Sequence, residues 1–306
     1  MYEVVNVPHD AAEAPEQIGS KYKFWFRTPD RSRWLFKQGR PGTGEDWAEK
    51  VACEVCALLG IPHARYELAR WRDRDGVVSK SIVPVGGRLV LGNELLVRLR
   101  RDYDPERSRR TRQHTLRLVL AVVGLEGVNP PSLPRSESEI RNSADVFVGY
   151  LMLDALIGNT DRHHENWALV VNPNRIVELA PTFDHASSLG RNESDERRQA
   201  RLETRDRRQD VRRYSERALS ALYRTPSDSK PMGTFEAFRE GGQLRPSAAL
   251  VWLNQLAKTD RVDYERILEQ VPRTPKRITE PAARFALEML TINRERLLEL
   301  RSELEG

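Results

Sequence analysis

No stretch of this 306-residue chain approaches the roughly 18 consecutive apolar residues of a spanning helix, so a membrane-crossing segment is excluded. The opening residues, MYEVVNVPHDAAEAPEQIGS, lack a basic region followed by an apolar run and do not read as a secretory signal. The expected location is the cytoplasm, with no membrane partner. Cysteine is nearly missing: Cys53 and Cys56 are too few for a disulfide framework. Their C-x-x-C spacing has no second Cys/His pair to complete a zinc site. It lies inside an apolar helical pattern, where three-residue spacing puts both thiols on the core side. Nor does one sign of charge dominate. Fifty Lys and Arg against 45 Asp and Glu leave +5, and the charges are interspersed, so direct nucleic-acid binding is not expected. The densest run, 191–217, mixes both signs and reads as a solvated helix face or mobile loop. A mean hydropathy of -0.62 is polar, yet 39% of residues are hydrophobic, enough for a core.

No internal repeat is visible, but the character of the chain changes along its length. Residues 18–38 read as a β-hairpin: KYKFWF, the turn TPDRSR, then WLFK. GRPGTG leads into a helix that Thr43 would cap, with Asp46 as its box partner and Trp47, Val51, Val55, Leu58 and Leu59 as its apolar stripe. Gly60-Ile61-Pro62 ends it. ARYELARW and SKSIVPV read as two more strands around the turn RDRDG. The strands of 18–90 are expected to form one sheet with the helix packed on it. From about 113 onward helices take over: QHTLRLVLAVVGL, then ADVFVGYLMLDALIG, apolar on nearly every face, and a helical final stretch opening its last helix near Thr279-Glu280-Pro281. The loop EGVNPPSLPRSES separates the first two. A β-rich lobe over 1–90 and a helical lobe over 91–306 make an α+β, two-lobed protein with a cleft.

The chemistry concentrates in 158–190. Gly158 ends the buried helix, Asp161-Arg-His-His-Glu-Asn166 follows, and the hairpin WALVV–NPNR–IVELAPTF delivers a second acid, Asp184. Phosphoryl transfer needs a group that takes or orients the nucleophile's proton and oxygen ligands that hold magnesium. Magnesium favours one or two carboxylates with amide oxygens and water. The spacing D-x-x-x-x-N equals that of the protein-kinase catalytic loop. Such a site requires a strand lysine and a helix glutamate in the first lobe. Lys37 closes the strand Trp34-Leu35-Phe36, and Glu49 lies one turn into the helix. Lys37 would hold the ATP phosphates, fixed by an ion pair with Glu49. Adjacent His163 and His164 invite a zinc reading, but neighbouring loop histidines point apart. Asp154, on the buried helix, is expected to orient the loop below it.

Lys37 after WLF, GEDWAEKVACEVCALLGIPHARYELA, GNTDRHHENWALVV and FDHASSLG together resemble the HipA-like serine/threonine kinases over most of the chain. The resemblance implies a two-lobed protein-kinase-like fold with ATP and magnesium between a small β-rich lobe and a mainly helical one. It implies Asp161 as catalytic base, Asn166 and Asp184 as magnesium ligands, Lys37 as the phosphate lysine, and His163 to Asn166, including Glu165, as the phosphate-lining stretch. It further implies a protein substrate with a Ser or Thr acceptor, a toxin or defence role, and an antitoxin or other regulatory partner. The extra N-terminal subdomain of longer family members is expected to be missing. No G-x-G-x-x-G loop exists, and the turn Gly19-Ser20-Lys21-Tyr22-Lys23 would cover the phosphates instead, with Ser20 a candidate for autophosphorylation. The adenine hinge would lie near Ile82–Val85. The segment 186–215, in the activation-segment position, is expected to be poorly packed.

Overall fold

A strand whose residues alternate Lys-Phe-Trp-Phe-Arg must put its aromatics on two different faces, and that alternation organises the smaller lobe. The structure, a computed structural model, describes residues 1–15, 22–106, 111–131, 139–274 and 277–305. Strands β1 (Val5–Val7), β2 (Ala14–Pro15), β3 (Lys23–Arg27), β4 (Arg33–Gln38), β5 (Tyr66–Trp71) and β6 (Arg74–Lys80) form one sheet in the order β1-β5-β6-β4-β3-β2. Its pairs are antiparallel except β1 with β5. One face gathers Phe24, Phe26, Phe36, Ala69, Trp71 and Val78 into a cluster, with Phe24 and Trp71 ring centres 4.8 Å apart. Each of the buried phenylalanines contributes roughly 1.5–3 kcal/mol. The other face carries Leu35, Lys37 and Tyr66 toward the cleft and Leu68 and Val77 toward α1 (Glu45–Leu59).

Helix α1 begins differently from the sequence expectation. Thr43 does not cap it: its hydroxyl donates to the Arg40 carbonyl at 2.8 Å, and Gly44 occupies the cap position at φ 62°. A Cβ there would lie 2.1 Å from the Trp47 indole nitrogen, so the tryptophan lies over the helix start. Asp46 does not complete a capping box either and instead pairs with Arg277. The buried stripe runs through Trp47, Ala48, Val51, Ala52, Val55, Cys56 and Leu59, while Leu58 falls one residue off it and is exposed. Cys53 and Cys56 are buried free thiols, and burial pushes Cys53 up to about 11. Gly60 ends the helix at φ 68°, as expected.

The charged run expected as the turn RDRDG is shorter in the structure: Arg72 and Asp73 alone make the turn, and β6 starts at Arg74. At Gly76 that strand passes so close to β4 that a Cβ would sit 2.2 Å from the Lys37 carbonyl oxygen. The chain leaves this sheet after Lys80. Strand β7 (Arg88–Leu91) joins β8 (Val128–Asn129), β9 (Ala168–Val171) and β10 (Val177–Leu179) in a second sheet, ordered β7-β9-β10-β8. The strands expected over 18–90 share the first sheet as β3, β4, β5 and β6, the last ending at Lys80, and β7, which is not among those expected, pairs antiparallel with β9 instead.

Helices α2 (Gly92–Leu99) and α3 (Leu116–Val123) lead to α4 (Ser143–Ile157), whose every residue is buried. Asn142 and Asp145 form a capping box at its start, and Gly158 ends it at φ 63°. Around it lie α5 (Asp195–Glu203), α6 (Val211–Glu216), α7 (Thr234–Leu244), α8 (Pro246–Ala257), α9 (Arg261–Glu269), α10 (Glu280–Glu299) and α11 (Arg301–Leu304). Thr279 caps α10 as the sequence suggests. No helix among the described residues is long and apolar enough to cross a membrane.

The segment 186–215 is better packed than its composition predicts. Leu189 is fully buried, and Arg198, also buried, donates to the carbonyls of Gly190 and Arg191 at 3.1 and 3.0 Å. Thr279 donates to Asp195 at 2.8 Å, fastening α5 to the start of α10. Val211 packs with Phe285 and Met289, and the arginine bonds to backbone acceptors add to these few apolar anchors. At the same end of α1, the buried Arg277 pairs with Asp46 and donates to the carbonyls of Ala69 and Gly76 at 2.8 and 3.2 Å.

Candidate active site

A loop carrying polar groups inside a protein must satisfy them locally, and here one ion pair does most of it. Asp154, in the last turn of α4, accepts from Arg162 Nε at 2.8 Å, from its Nη2 at 2.7 Å and from Asn159 Nδ2 at 2.8 Å. Arg162 then reaches on to the Asn166 carbonyl at 2.8 Å. Asp154 thus orients the loop as its position suggested. Arg162 itself was hidden in the sequence by its look as an ordinary loop charge. The fixed loop presents Asp161, whose carbonyl accepts from Asn166 Nδ2 at 2.7 Å, leaving Asn166 Oδ1 as the amide's acceptor.

The two histidines diverge, as expected. His163 lies 3.6 Å from the Asp161 carboxylate at the cleft. His164 points inward, its Nδ1 2.5 Å from the Tyr103 hydroxyl and its ring beside His114. Trp167 donates to His114 Nε2 at 3.1 Å, and His114 Nδ1 faces the Ala221 carbonyl at 2.9 Å, which fixes a neutral tautomer. Burial pushes His114 down to about 3 and His164 down to about 4.

Asp184 arrives from below. Residues 62–64 and Thr182 bind each other backbone to backbone at 2.9 Å in both directions, which anchors the strand before Asp184 to the end of α1. Tyr66, on β5, accepts from the Asp184 amide at 3.2 Å. Asp184 itself stands at φ 58°, an unusual position for a residue with a side chain. Its carboxylate meets Lys37 Nζ at 2.5 Å, and Glu49 lies 3.8 Å from the same ammonium. Burial acts to lower the Lys37 pKa, but Asp184 and Glu49 outweigh it and the net shift is upward, so the lysine stays charged. Glu49 also accepts from the His185 amide at 2.7 Å, so one glutamate touches both lobes.

Lys37, Tyr66, Asp161, His163, Asn166 and Asp184 line a cleft of about 360 Å³ between the two sheets. Leu35, Ala64, Ile82, Leu89 and Phe183 make an apolar end; Lys37, Asp161, Asn166 and Asp184 make a charged one. Lys23 stands directly across from Lys37 on the neighbouring strand, and His163 and Glu165 complete the charged wall. Ile82 lines the apolar end where the hinge was expected, whereas Val85 is exposed. Gly19, Ser20 and Lys21 lie outside the described residues. An apolar slot opening onto paired charges fits a purine nucleotide and its phosphates. Asp184 and Asn166 Oδ1 are hard oxygen donors of the kind magnesium uses beside water and phosphate. Among the described residues no three His, Cys, Asp or Glu side chains converge on a common point. Sequence reasoning missed Tyr66, Ser187 and Arg191 in the same cleft, residues of types too common to signal a site alone.

No protein-family model matches the chain, and no curated protein matches it in sequence. Solved structures do match in shape. The Helicobacter pylori proinflammatory kinase CtkA superposes with a TM-score of 0.75 at 17% identity, covering 99% of this chain and 98% of that one. HipA of Shewanella oneidensis, solved with HipB and operator DNA, superposes with a TM-score of 0.57 at 13% identity, covering 97% of this chain and 70% of its own. The chain thus has the protein-kinase-like α+β fold, a β-sheet lobe over a helical lobe.

Proposed function

We propose that the chain is an ATP- and magnesium-dependent protein serine/threonine kinase of the HipA-like type, acting in the cytoplasm as a toxin or defence effector. The observation that carries this reading is the convergence of Lys37, Asp161, Asn166 and Asp184 on one cleft, with Glu49 buried behind Lys37 and 3.8 Å from its ammonium. Lys37 binds the α- and β-phosphates, and Glu49 holds its ammonium in place when Asp184 turns to the metal. Asn166 and Asp184 hold magnesium, which when bound neutralises phosphate charge. Asp161 takes or orients the proton of the acceptor hydroxyl. Lys23, His163 and Glu165 line the phosphate path; the role proposed for Gly19, Ser20 and Lys21, which lie outside the described residues, is to bind phosphate. We keep a small lobe over residues 1–90 and a large lobe over 91–306 as the working division, with Ile82 at the adenine end of the cleft. The acceptor is a Ser or Thr of another protein. The HipB that accompanies the Shewanella HipA makes an antitoxin-like regulator the natural partner to seek.

The test is incubation with labelled ATP and magnesium, followed by mass spectrometry of the protein and of lysate proteins. Transfer of label that requires Asp161 supports the proposal; absence of nucleotide binding and of any labelled acceptor refutes it.

A further inference from the structure

A kinase base must accept a hydrogen bond from the hydroxyl that will attack. In this chain one hydroxyl already does so. Ser187, three residues past Asp184 and half-buried in the cleft wall, donates from Oγ to Asp161 Oδ2 at 3.2 Å. The contact is built rather than incidental. The Ser187 carbonyl accepts from the Thr160 amide at 3.2 Å, so the serine is pinned beside the residue preceding the base. Left-handed φ angles at Asp184 and Leu189, 58° and 55°, bracket the short loop and fix which way its side chains face. Adjacent Ser188 faces the other way, buried and donating to the His185 carbonyl at 2.7 Å. Arg191 Nη2 stands 3.4 Å from Ser187 Oγ, a cation ready beside any phosphate formed there.

We propose that Ser187 is an internal acceptor: the chain phosphorylates its own Ser187 from ATP. The inference rests on the kinase reading above. Ser187 Oγ attacks the γ-phosphorus of ATP and its hydroxyl proton passes to Asp161 Oδ2. The new Oγ–P bond forms as the bond from the γ-phosphorus to the β–γ bridging oxygen breaks, and ADP leaves with that electron pair. The product phosphate lies against Arg191 and competes for it with Glu45, now 2.9 Å away.

The test uses the full chain, purified free of phosphate, incubated with ATP and magnesium beside dephosphorylated casein as an outside acceptor. Trypsin releases residues 176–191 as one peptide, and fragment masses separate Ser187 from Ser188 and Thr182. The expected result is one phosphoryl group on Ser187, with a fraction labelled per minute that does not change on tenfold dilution. Ser187→Ala and Asp161→Asn lose this label, and Ser188→Ala keeps it. Label on casein or on other residues with none at Ser187 overturns the proposal and leaves the kinase reading standing. A Ser187 rate that rises with protein concentration overturns transfer within one chain. Persistence of the label in Asp161→Asn overturns the role of the base. No nucleotide binding and no label anywhere overturns the kinase reading as well.

Discussion

Replacing Arg162 by Met removes the cation on which the catalytic loop hangs, and the size of the effect follows from what is left behind. Asp154 is 3% exposed and receives three hydrogen bonds, two of them from Arg162. In Arg162→Met only Asn159 still donates to a carboxylate that water cannot reach, and the Asn166 carbonyl loses its partner as well. An uncompensated buried charge costs about 3–5 kcal/mol, a large share of the ~5–15 kcal/mol that holds a folded domain. The intact pair contributes far less than this, because burying both ions cancels most of their attraction. The double variant Asp154→Leu/Arg162→Met therefore recovers much of the loss, with a coupling of at least about 2 kcal/mol. Urea unfolding followed by circular dichroism measures all four corners of this cycle. A single variant within about 0.5 kcal/mol of the parent, or strictly additive losses, would show that the pair does not carry the loop.

Three further outcomes are expected. Asp161→Asn leaves magnesium-dependent nucleotide binding largely intact while slowing turnover about a hundredfold or more, whereas Asp184→Asn weakens that binding too; titrations with and without magnesium distinguish them, and the reverse pattern exchanges the two roles. Because His114 and His164 are held neutral in the fold, their pKa values lie below the ordinary ~6.5, so stability is intact above that pH and falls as acid protonates the unfolded chain. His114 alone gives a slope of about 1.4 kcal/mol per pH unit below pH ~6.5, with a smaller share from His164; a urea midpoint unchanged between pH 7 and 5 contradicts this. Gly76→Ala drives a methyl group into the Lys37 carbonyl and costs about 1–3 kcal/mol or more, and melting near that of the parent would mean the two strands separate easily.

The parts of the molecule legible in the sequence are those set by local rules. The hairpin of β3 and β4, the glycines that end α1 and α4 and the hairpin after Asn166 all follow from alternation and capping. The D-x-x-x-x-N spacing marked the loop because five residues suffice to place its groups. What stayed hidden depended on partners far along the chain. Asp46 looks like a capping residue until Arg277, 231 positions later, claims it. Strand β7 goes unread because nothing local reveals that Ala168–Val171 will pair with it. The run 186–215 looks mobile because its anchors are a few scattered apolar residues and two buried arginines, Arg191 and Arg198, which composition counts as surface.

The clamp at Arg277 has a mechanical consequence. Helix α1 is gripped near its start twice: Arg277, just ahead of α10, takes Asp46, and Arg191, on the segment after Asp184, takes Glu45. The Gly60 end is bonded as well, through Pro62 and Ala64 to Thr182, so α1 is fixed at both ends and the strands beside it carry the motion. Opening and closing of the cleft should then appear as a sheet rocking over a stationary helix start. Amide exchange would register this as slow exchange at residues 48–52 and faster exchange in β3 and β4; the opposite order would mean that the grip gives way first.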